Sequence, residues 1–584
     1  MPATKAKKPT AKTTTKKVAA AKPARKSEKL VSKPLKSTMM QFPLTITQLF
    51  LRGAKVNSNS KVITWAPTGS RITTYAQIAE NAGRLANALK RLGIKPGDRV
   101  ATVMWNDDHH MEAYFAIPCM GAVLHPLNLR LFPDQFDYIV KHADDRVIIV
   151  HDSLVPLVAR SAKALKRVTD VIIVGDGPVD PNMLAVIPAK IHKYAELLAP
   201  ESSVYKWPTI AEDDAAAVCY TTGTTGDPKG VAYSHRSVYL HSFGAGLGAT
   251  IPLTEHDTML PIVPMFHVLA WGLPFGGWSV GADFLMPEKY LQAEPIAAMI
   301  TQHKPTMSAA VPTIWNDLLR FVDKNKGFDL TSMKFVVCGG SAVPRSLIEG
   351  FLKKHGVPIV QGWGMTETSP LCALAHPPRG VTSVKQQIDY RAMTGRVVPG
   401  VELRICDDEG TELSWDGKAV GEIEVRGPWI TGSYIGVRAP EKFHDGWLRT
   451  GDVGTVDPDG FIQITDRSKD VIKSGGEWIS SVEVENHLLG AHGVVEAAVV
   501  GIPDDRWDER PLACVVLEEG AKTTPAELRR HLEPLIAKWW IPEYWTFIKE
   551  VPKTSVGKYD KKVLRARHAT GDLKVVSEGK AAKK

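Results

Sequence analysis

Tyr220-Thr-Thr-Gly-Thr-Thr-Gly-Asp-Pro-Lys-Gly230 follows directly on an apolar run, Ala215 to Cys219, so a strand-like segment delivers the chain into a loop of glycine, hydroxyl and lysine. That composition suits a polyphosphate. Gly223 and Gly226 permit a tight turn that presents backbone N–H groups, Thr221, Thr222, Thr224 and Thr225 add hydroxyl donors, and Lys229 adds a positive charge. A Walker loop ends Gly-Lys-Ser/Thr, whereas Pro228-Lys229-Gly230 closes this one, which disfavours an ordinary P-loop ATPase or GTPase. A solvated Gly/Thr turn would have the same local composition, so the rest of the chain has to decide between them.

Outward from the loop, the chain from about residue 40 alternates amphipathic helices with short apolar strands, the pattern of helices packed on a mostly parallel sheet. Thr74-Tyr75-Ala76-Gln77 reads as a capping box. Ile78, Ala82, Leu85, Ala86, Leu89 and Leu92 make one face of the helix it opens, and Gly93 ends it. The segments 147–150, 171–174, 335–338 and 358–361 read as strands running into polar loops, and ligands collect at the carboxyl ends of such strands. After about residue 400 the strands become shorter and punctuated by Gly and Asp (401–406, 421–426, 454–457, 460–464), which predicts an antiparallel subdomain with turns such as Asp457-Pro-Asp-Gly460. A smaller α+β unit of about a hundred residues comes next. In it Ser480-Ser-Val-Glu483 and Thr524-Pro-Ala-Glu527 cap two helices, and 494–500 and 512–517 form strands. The expected boundaries are a tail over 1–38, a large domain over 39–465, a lid over 466–570 and a second tail over 571–584.

The 584 residues exceed what one core supports, so more than one domain is expected. The net charge of +9 is misleading as it stands. Residues 1–38 carry a net +11 and leave the remainder at −2, so the basicity belongs to a Lys/Ala/Thr/Pro tail of low complexity that is expected to be disordered. Such a tail could make screened contact with anionic polymers or membrane lipids, but a solvated tail of no specific function is the simpler reading. No specific nucleic-acid role is expected, and a nucleic-acid-binding protein built on the tail is the remote alternative. No apolar run reaches the roughly 18 residues that span a bilayer. The six cysteines lack metal spacing and read as core residues in a reducing, cytoplasmic compartment. A terminal Ala-Ala-Lys-Lys is not the Ser-Lys-Leu peroxisomal address. Oligomeric state is left open, with a homodimer as one option.

Four further stretches carry the chemistry. Gly362-Trp-Gly-Met-Thr-Glu-Thr368 comes after a predicted strand, and Glu367 offers the hard carboxylate oxygen that a nucleotide-bound magnesium prefers. Arg449-Thr450-Gly451-Asp452 presents an acceptor-only carboxylate. Asp466-Arg467 stands fourteen residues later, and Pro552-Lys-Thr-Ser-Val-Gly-Lys-Tyr559 lies near the C-terminus. Together with the Gly/Thr loop, these stretches resemble the adenylate-forming superfamily, which contains acyl-CoA synthetases, luciferases and nonribosomal adenylation domains. This chain has Thr221-Thr222-Gly223 where the family usually has Thr-Ser-Gly. The resemblance spans roughly residues 45–568. It implies an α/β fold of layered subdomains with a small antiparallel β subdomain and a mobile lid.

The resemblance also implies ATP, Mg2+ and coenzyme A as cosubstrates, with catalytic roles for Lys558, Glu367, His267 and Thr221. The Gly/Thr loop from Thr221 to Gly226 and Lys229 would hold phosphate. Glu367 beside Thr366 would hold Mg·ATP, Trp363 would stack on adenine, and Asp452 would take the ribose hydroxyls. Gly340, Ser341, Gly362, Gly364, Met365, Ile464, Arg467 and Lys558 would complete the nucleotide site. Asp466 would be the hinge, and Lys473, Ser474, Gly475, Gly476 and Glu477 would meet coenzyme A. The lysine answers a physical need: two like charges ~4 Å apart, here an attacking carboxylate and an α-phosphate, repel by about 4 kcal/mol at an effective dielectric of roughly 20. Lys558 and Gly475 cannot both face one site, so the lid would rotate about Asp466 between two half-reactions.

Pro264-Met-Phe-His-Val-Leu-Ala-Trp-Gly272 matches the family's substrate gate. An amino-acid substrate would need a carboxylate partner for its ammonium group, and His267 stands where that Asp usually is. With Val268, Leu269 and Trp271 nearby and glycines at 339, 340, 362 and 364 leaving room, an apolar acyl tail fits better. The 26 residues past Lys558 are too few for a carrier domain, so a free thiol such as coenzyme A is the expected acceptor. The stretches at 473–483 and 553–562 look like the medium- and long-chain fatty-acyl-CoA ligase branch, which also includes enzymes for short acids such as methylmercaptopropionate. A medium-chain fatty acid is the expected substrate, and a short or aromatic acid is the alternative.

Overall fold

Thr74 caps its helix as its sequence predicts. Its hydroxyl accepts from the Gln77 N–H while the Gln77 side chain returns to the Thr74 N–H, and the Tyr75–Arg91 helix buries Ile78, Ala82, Leu85, Ala86 and Leu89 before Gly93 turns at φ 90°. The structure is a computed structural model and describes residues 35–221, 227–467, 469–474, 477–553 and 559–578. The chain divides into two units, Met1–Phe42 and Pro43–Lys584. In the first, the described residues 35–42 form no helix or strand. In the second lie all the helices and strands among the described residues.

Two sheets carry the larger part of the second unit. One runs, edge to edge, Lys190–Lys193, Asp170–Val174, Asp145–His151, Arg99–Val103, Val123–Pro126, Ala215–Tyr220 and Gly230–Ser234, and every pair is parallel except the last. The other contains a parallel run of Ile359–Gly364, Phe335–Gly339, Met307–Ala310, Thr258–Pro261, Asp283–Met286 and Lys61–Thr64. The late, shorter strands pair antiparallel as expected. They are not a separate sheet, because Leu371–Leu374 and Gly395–Val397 join them to the parallel run at Ile359–Gly364. Strands Trp447–Val456 and Phe461–Arg467 extend past the sequence-based limits, so Asp452 and Asp466 lie in ladder positions. Likewise Gly362 to Gly364 continue the strand they were expected to come after, since Gly362 and Trp363 pair with Leu374 and Ala373.

Past residue 472 a separate six-stranded sheet forms around the long Val494–Asp504 and Asp508–Leu517 hairpin. The helices Ser481–Leu488 and Pro525–Leu532 start at Ser480 and Thr524 as predicted. All six cysteines are buried and free. Among the described residues no helix is long and apolar enough to cross a membrane.

Between the two large sheets, Trp278 stacks on Tyr75 with ring centroids 3.8 Å apart, and Phe50 and Phe115 close the cluster. Gly53, inside the Ile46–Val56 helix, faces that ring: a Cβ there would lie 2.2 Å from Trp278 Nε1. On an exposed helix Gly→Ala gains about 1 kcal/mol. Here Gly53→Ala is expected to reverse the sign and lower the denaturant midpoint by the equivalent of about 1–3 kcal/mol, measured by chemical unfolding of the two proteins.

Candidate active site

The carboxyl ends of both parallel sheets point at one region. Ile262 to His267 come after Thr258–Pro261, Val311 and Ile314 after Met307–Ala310, Leu291 after Asp283–Met286, and Arg130 after Val123–Pro126 in the other sheet. Apart from Met265, these residues line, together with Ala310, a pocket of about 500 Å³ of empty volume, part of it open to solvent. His267 is half-buried at its wall. Among the described residues no Asp or Glu lines it.

The gate segment is held in an uncommon shape. Val268, Leu269, Ala270 and Trp271 all have positive φ, between 48° and 58°, before Gly272 at 73°. Left-handed turns cost L-residues roughly 1–2 kcal/mol each, so the surroundings must over-determine this one. Asn106 does part of that. Its amide donates to the Pro261 and Val263 carbonyls at 2.8 and 2.9 Å and accepts from the Met265 N–H at 2.8 Å. Asn106 went unnoticed in the sequence, and only its buried position reveals it. Behind Gly272 lies His241, whose Nε2 finds no hydrogen-bond partner among the described residues.

Of the expected substrate residues, His267 lines the pocket and Trp271 covers Gly339, its ring 3.4 Å from where a Cβ would stand. Two glycines do not leave room for an acyl tail as expected. A Cβ on Gly364 would meet the Pro370 carbonyl at 1.7 Å and one on Gly339 the Gly362 carbonyl at 2.8 Å, so backbone packing within the sheet demands both.

The Gly/Thr loop joins two antiparallel strands, with Tyr220 opposite Gly230, and so belongs to a hairpin rather than to a strand-to-helix turn. Thr221 closes its base: its N–H donates to the Lys229 carbonyl at 2.9 Å and its hydroxyl accepts from the Lys229 N–H at 3.2 Å. Thr222, Gly223, Thr224, Thr225 and Gly226 lie outside the described residues. Lys229 Nζ sits 4.9 Å over the ring of Tyr434, and the Tyr434 hydroxyl donates to Glu367 Oε1 at 2.6 Å. Glu367 is buried in the short turn Thr366–Thr368, with no cation paired to it among the described residues. A buried carboxylate with one oxygen held by a neutral donor and the other without a donor among the described residues fits a divalent cation carried on phosphate. Tyr434 was missed in the sequence, because nothing in its spacing separates it from a surface tyrosine.

Trp363 and Asp452 meet directly: the indole N–H donates to Asp452 Oδ2 at 2.8 Å, while Arg467 Nε lies 2.9 Å from Oδ1. Arg467 stands opposite Asp452 in the ladder. Each carboxylate oxygen keeps a lone pair for a further donor. Gly340 takes φ 90° after its strand, Ser341 is exposed beyond it, Met365 and Thr366 are half-buried, and the Ile464 N–H is held by Thr394.

Asp466 is buried, and its carboxylate accepts from both the N–H and the hydroxyl of Ser481. The Ser481 hydroxyl also receives Lys561, which pairs with Glu485 at 2.8 Å. Burial pushes the Glu485 carboxyl up to about 7, with Lys561 opposing. This network was also missed. Of the expected coenzyme A contacts, Lys473 is exposed, but Ser474 turns inward, where Arg510 donates to its hydroxyl at 3.0 Å. Its side chain therefore supports the strand and does not face a ligand. Glu477 begins the partner strand, and Gly475 and Gly476 lie outside the described residues. So does Lys558, although Lys553 and Tyr559 on either side of it pair as an antiparallel bridge. Burial raises the Asp317 carboxyl, and Arg320 and Lys553 oppose that rise. Lys553 itself pairs with Glu496.

Residues 50–435 match the family model of the AMP-binding enzymes, and residues 483–558 match the AMP-binding enzyme C-terminal domain. The chain belongs to the AMP-binding enzymes. It is 41% identical to a 3-methylmercaptopropionyl-CoA ligase of Ruegeria lacuscaerulensis, over 90% of this chain and 98% of that one. It is 42% identical to a long-chain-fatty-acid–CoA ligase of Thermus thermophilus (91% and 97%) and 37% identical to a medium-chain-fatty-acid–CoA ligase of Ectopseudomonas oleovorans (92% and 97%). A solved anthranilate CoA ligase, AuaEII in complex with anthranoyl-AMP, superposes with a TM-score of 0.81 at 27% identity over 91% of this chain and 99% of that one. The chain is thus an AMP-forming acyl-CoA ligase of the adenylate-forming superfamily, using ATP, Mg2+ and coenzyme A.

His241, behind the gate, has a pH signature. Burial lowers its imidazole from the ordinary 6.5 to about 4, so the folded protein needs it neutral while the unfolded chain protonates it below 6.5. Stability should therefore be lost as pH falls from 6.5 through about 4. At pH 5 the loss attributable to His241 is expected to be roughly 2 kcal/mol. Denaturant unfolding of wild type and His241→Leu between pH 7 and 5 checks this, with a shallower pH dependence expected in the variant.

Proposed function

We propose that this acyl-CoA ligase activates a medium-chain fatty acid. The observation that carries the reading is the pocket wall: Ile262, Val263, Phe266, Leu291, Val311 and Ile314 surround His267 with no carboxylate among them. An amino-acid ammonium would be buried there unpaired at a cost of several kcal/mol, whereas an alkyl chain gains with each buried methylene. The relatives acting on long- and medium-chain acids agree with that wall, while the 3-methylmercaptopropionyl-CoA ligase leaves a short acid as the second reading, which the cationic Arg130 at the pocket favours.

The proposed roles follow the family's motifs, supported by the contacts of the described residues among them. Lys229 and the Gly/Thr loop bind the phosphates, Trp363 lies against adenine, and Asp452, held by Trp363 and Arg467, accepts the ribose hydroxyls. Glu367 would hold the magnesium ion, which when bound neutralises charge on the leaving pyrophosphate. Lys558, in a stretch that resembles the family's catalytic-lysine loop, steadies the attacking carboxylate against the α-phosphate. The lid, pivoting at Asp466, then exchanges Lys558 for the Lys473 to Glu477 hairpin when coenzyme A attacks.

AMP and pyrophosphate release measured across straight-chain acids, benzoate and methylmercaptopropionate should peak at about C6 to C12, and a maximum elsewhere reassigns the acid. Lys558→Ala should lower adenylate formation by about 10²-fold or more and leave the conversion of supplied acyl-AMP and coenzyme A within a few fold. Equal loss of both half-reactions would refute the division of labour.

A further inference from the structure

Lys229 and Glu367 carry opposite charges in one small region, yet neither enters an ion pair among the described residues. Tyr434 stands between them. Its ring lies beneath the Lys229 ammonium, its hydroxyl donates to Glu367, and only 7% of its surface is exposed. The segment around it is fastened on both sides. Ile435 N–H donates to the Gly230 carbonyl at 2.9 Å on the hairpin side, and Thr431 N–H donates to the Glu367 carbonyl at 2.8 Å on the other. Beneath it, the Trp429 indole donates to the Leu371 carbonyl at 3.0 Å and the Ser369 hydroxyl to the Trp429 carbonyl at 2.8 Å. Residues 429–435 thus form a strap that clasps the phosphate-loop hairpin to the Glu367 turn.

Opposite charges this close attract, and a direct Lys229–Glu367 pair would satisfy each charge within the protein. An aromatic face and a phenolic O–H instead give each charge a neutral partner, which phosphate oxygens and a divalent cation can outcompete. We propose that Tyr434 is a positioning residue that holds Lys229 and Glu367 apart, so that both charges stay available to a triphosphate and its metal; this role rests on the nucleotide reading of the site. Burial, reinforced by Glu367, raises the phenol and keeps it a donor at neutral pH.

The test measures ATP binding to the full-length protein by calorimetry, first in EDTA and then across a magnesium titration, with thermal unfolding as the check on folding. Tyr434→Ala should weaken ATP binding in EDTA about tenfold, as Lys229 falls onto Glu367. Adding Glu367→Gln to it should restore most of that loss, because the pair can no longer form. Tyr434→Phe keeps the spacer and loses the hydroxyl, so its half-saturating magnesium concentration should shift by about threefold or more. Tyr434→Ala binding ATP in EDTA as tightly as wild type, or a double variant no tighter than Tyr434→Ala, overturns the proposal. Should Tyr434→Ala not fold, Tyr434→Leu, which removes the aromatic face and the hydroxyl but keeps apolar bulk, takes its place, and ATP binding in EDTA as tight as wild type overturns the proposal. Wild type that binds no ATP would overturn the nucleotide reading, and the spacer role with it.

Discussion

The carboxylate of Asp452 is buried, and on the proposed reading it must still serve a ligand. An ionised carboxylate out of water is costly unless donors surround it, and here the donors are the Trp363 indole and the Arg467 guanidinium, one per oxygen. Those two donors come from different parts of the molecule. Trp363 ends a strand of the parallel run, and Arg467 ends the strand that leads into the C-terminal sheet. Asp452 therefore ties together the parallel strands, the antiparallel extension and the start of the C-terminal segment. The continuity of the sheet through Leu371–Leu374 and Gly395–Val397 places that tie where the ladder needs it.

The same economy governs the side proposed for the polyphosphate. Lys229 and Glu367 face a tyrosine rather than each other, and the strap carrying that tyrosine is bonded through backbone atoms to both motifs. Neutral partners hold charged groups in place without quenching them. At Asp466 the arrangement is reversed: among the described residues Ser481, Lys561 and Glu485 form a buried network in which the charged groups face one another, which accords with the proposed hinge.

Much of this could be read from the sequence, and the residues show why. The Thr74 cap, the Thr524 cap and the strands at 147–150, 171–174, 335–338 and 421–426 rest on neighbours within a few positions, so local pattern suffices. The tail's basicity separated cleanly from the near-neutral remainder for the same reason. The glycine argument failed at Gly339 and Gly364 because spare volume on a glycine has two uses, and only the position of the neighbouring strand tells a ligand's space from a carbonyl's. Ser474 failed similarly: alternation along a short strand points every second side chain inward, and its register was fixed by pairing with Glu477 and Asp508.

The amino-acid order by itself determined the α/β class, the order of the chemical motifs and the groups proposed to meet ATP, because each is encoded in local composition and spacing. Only the tertiary structure decided which of those groups touch. Tyr434 and Glu367 are 67 residues apart, Trp363 and Asp452 89, and Asn106 and Pro261 155. Contacts at such separations are made by sheet order and register, in which no local stretch of the chain records its partner.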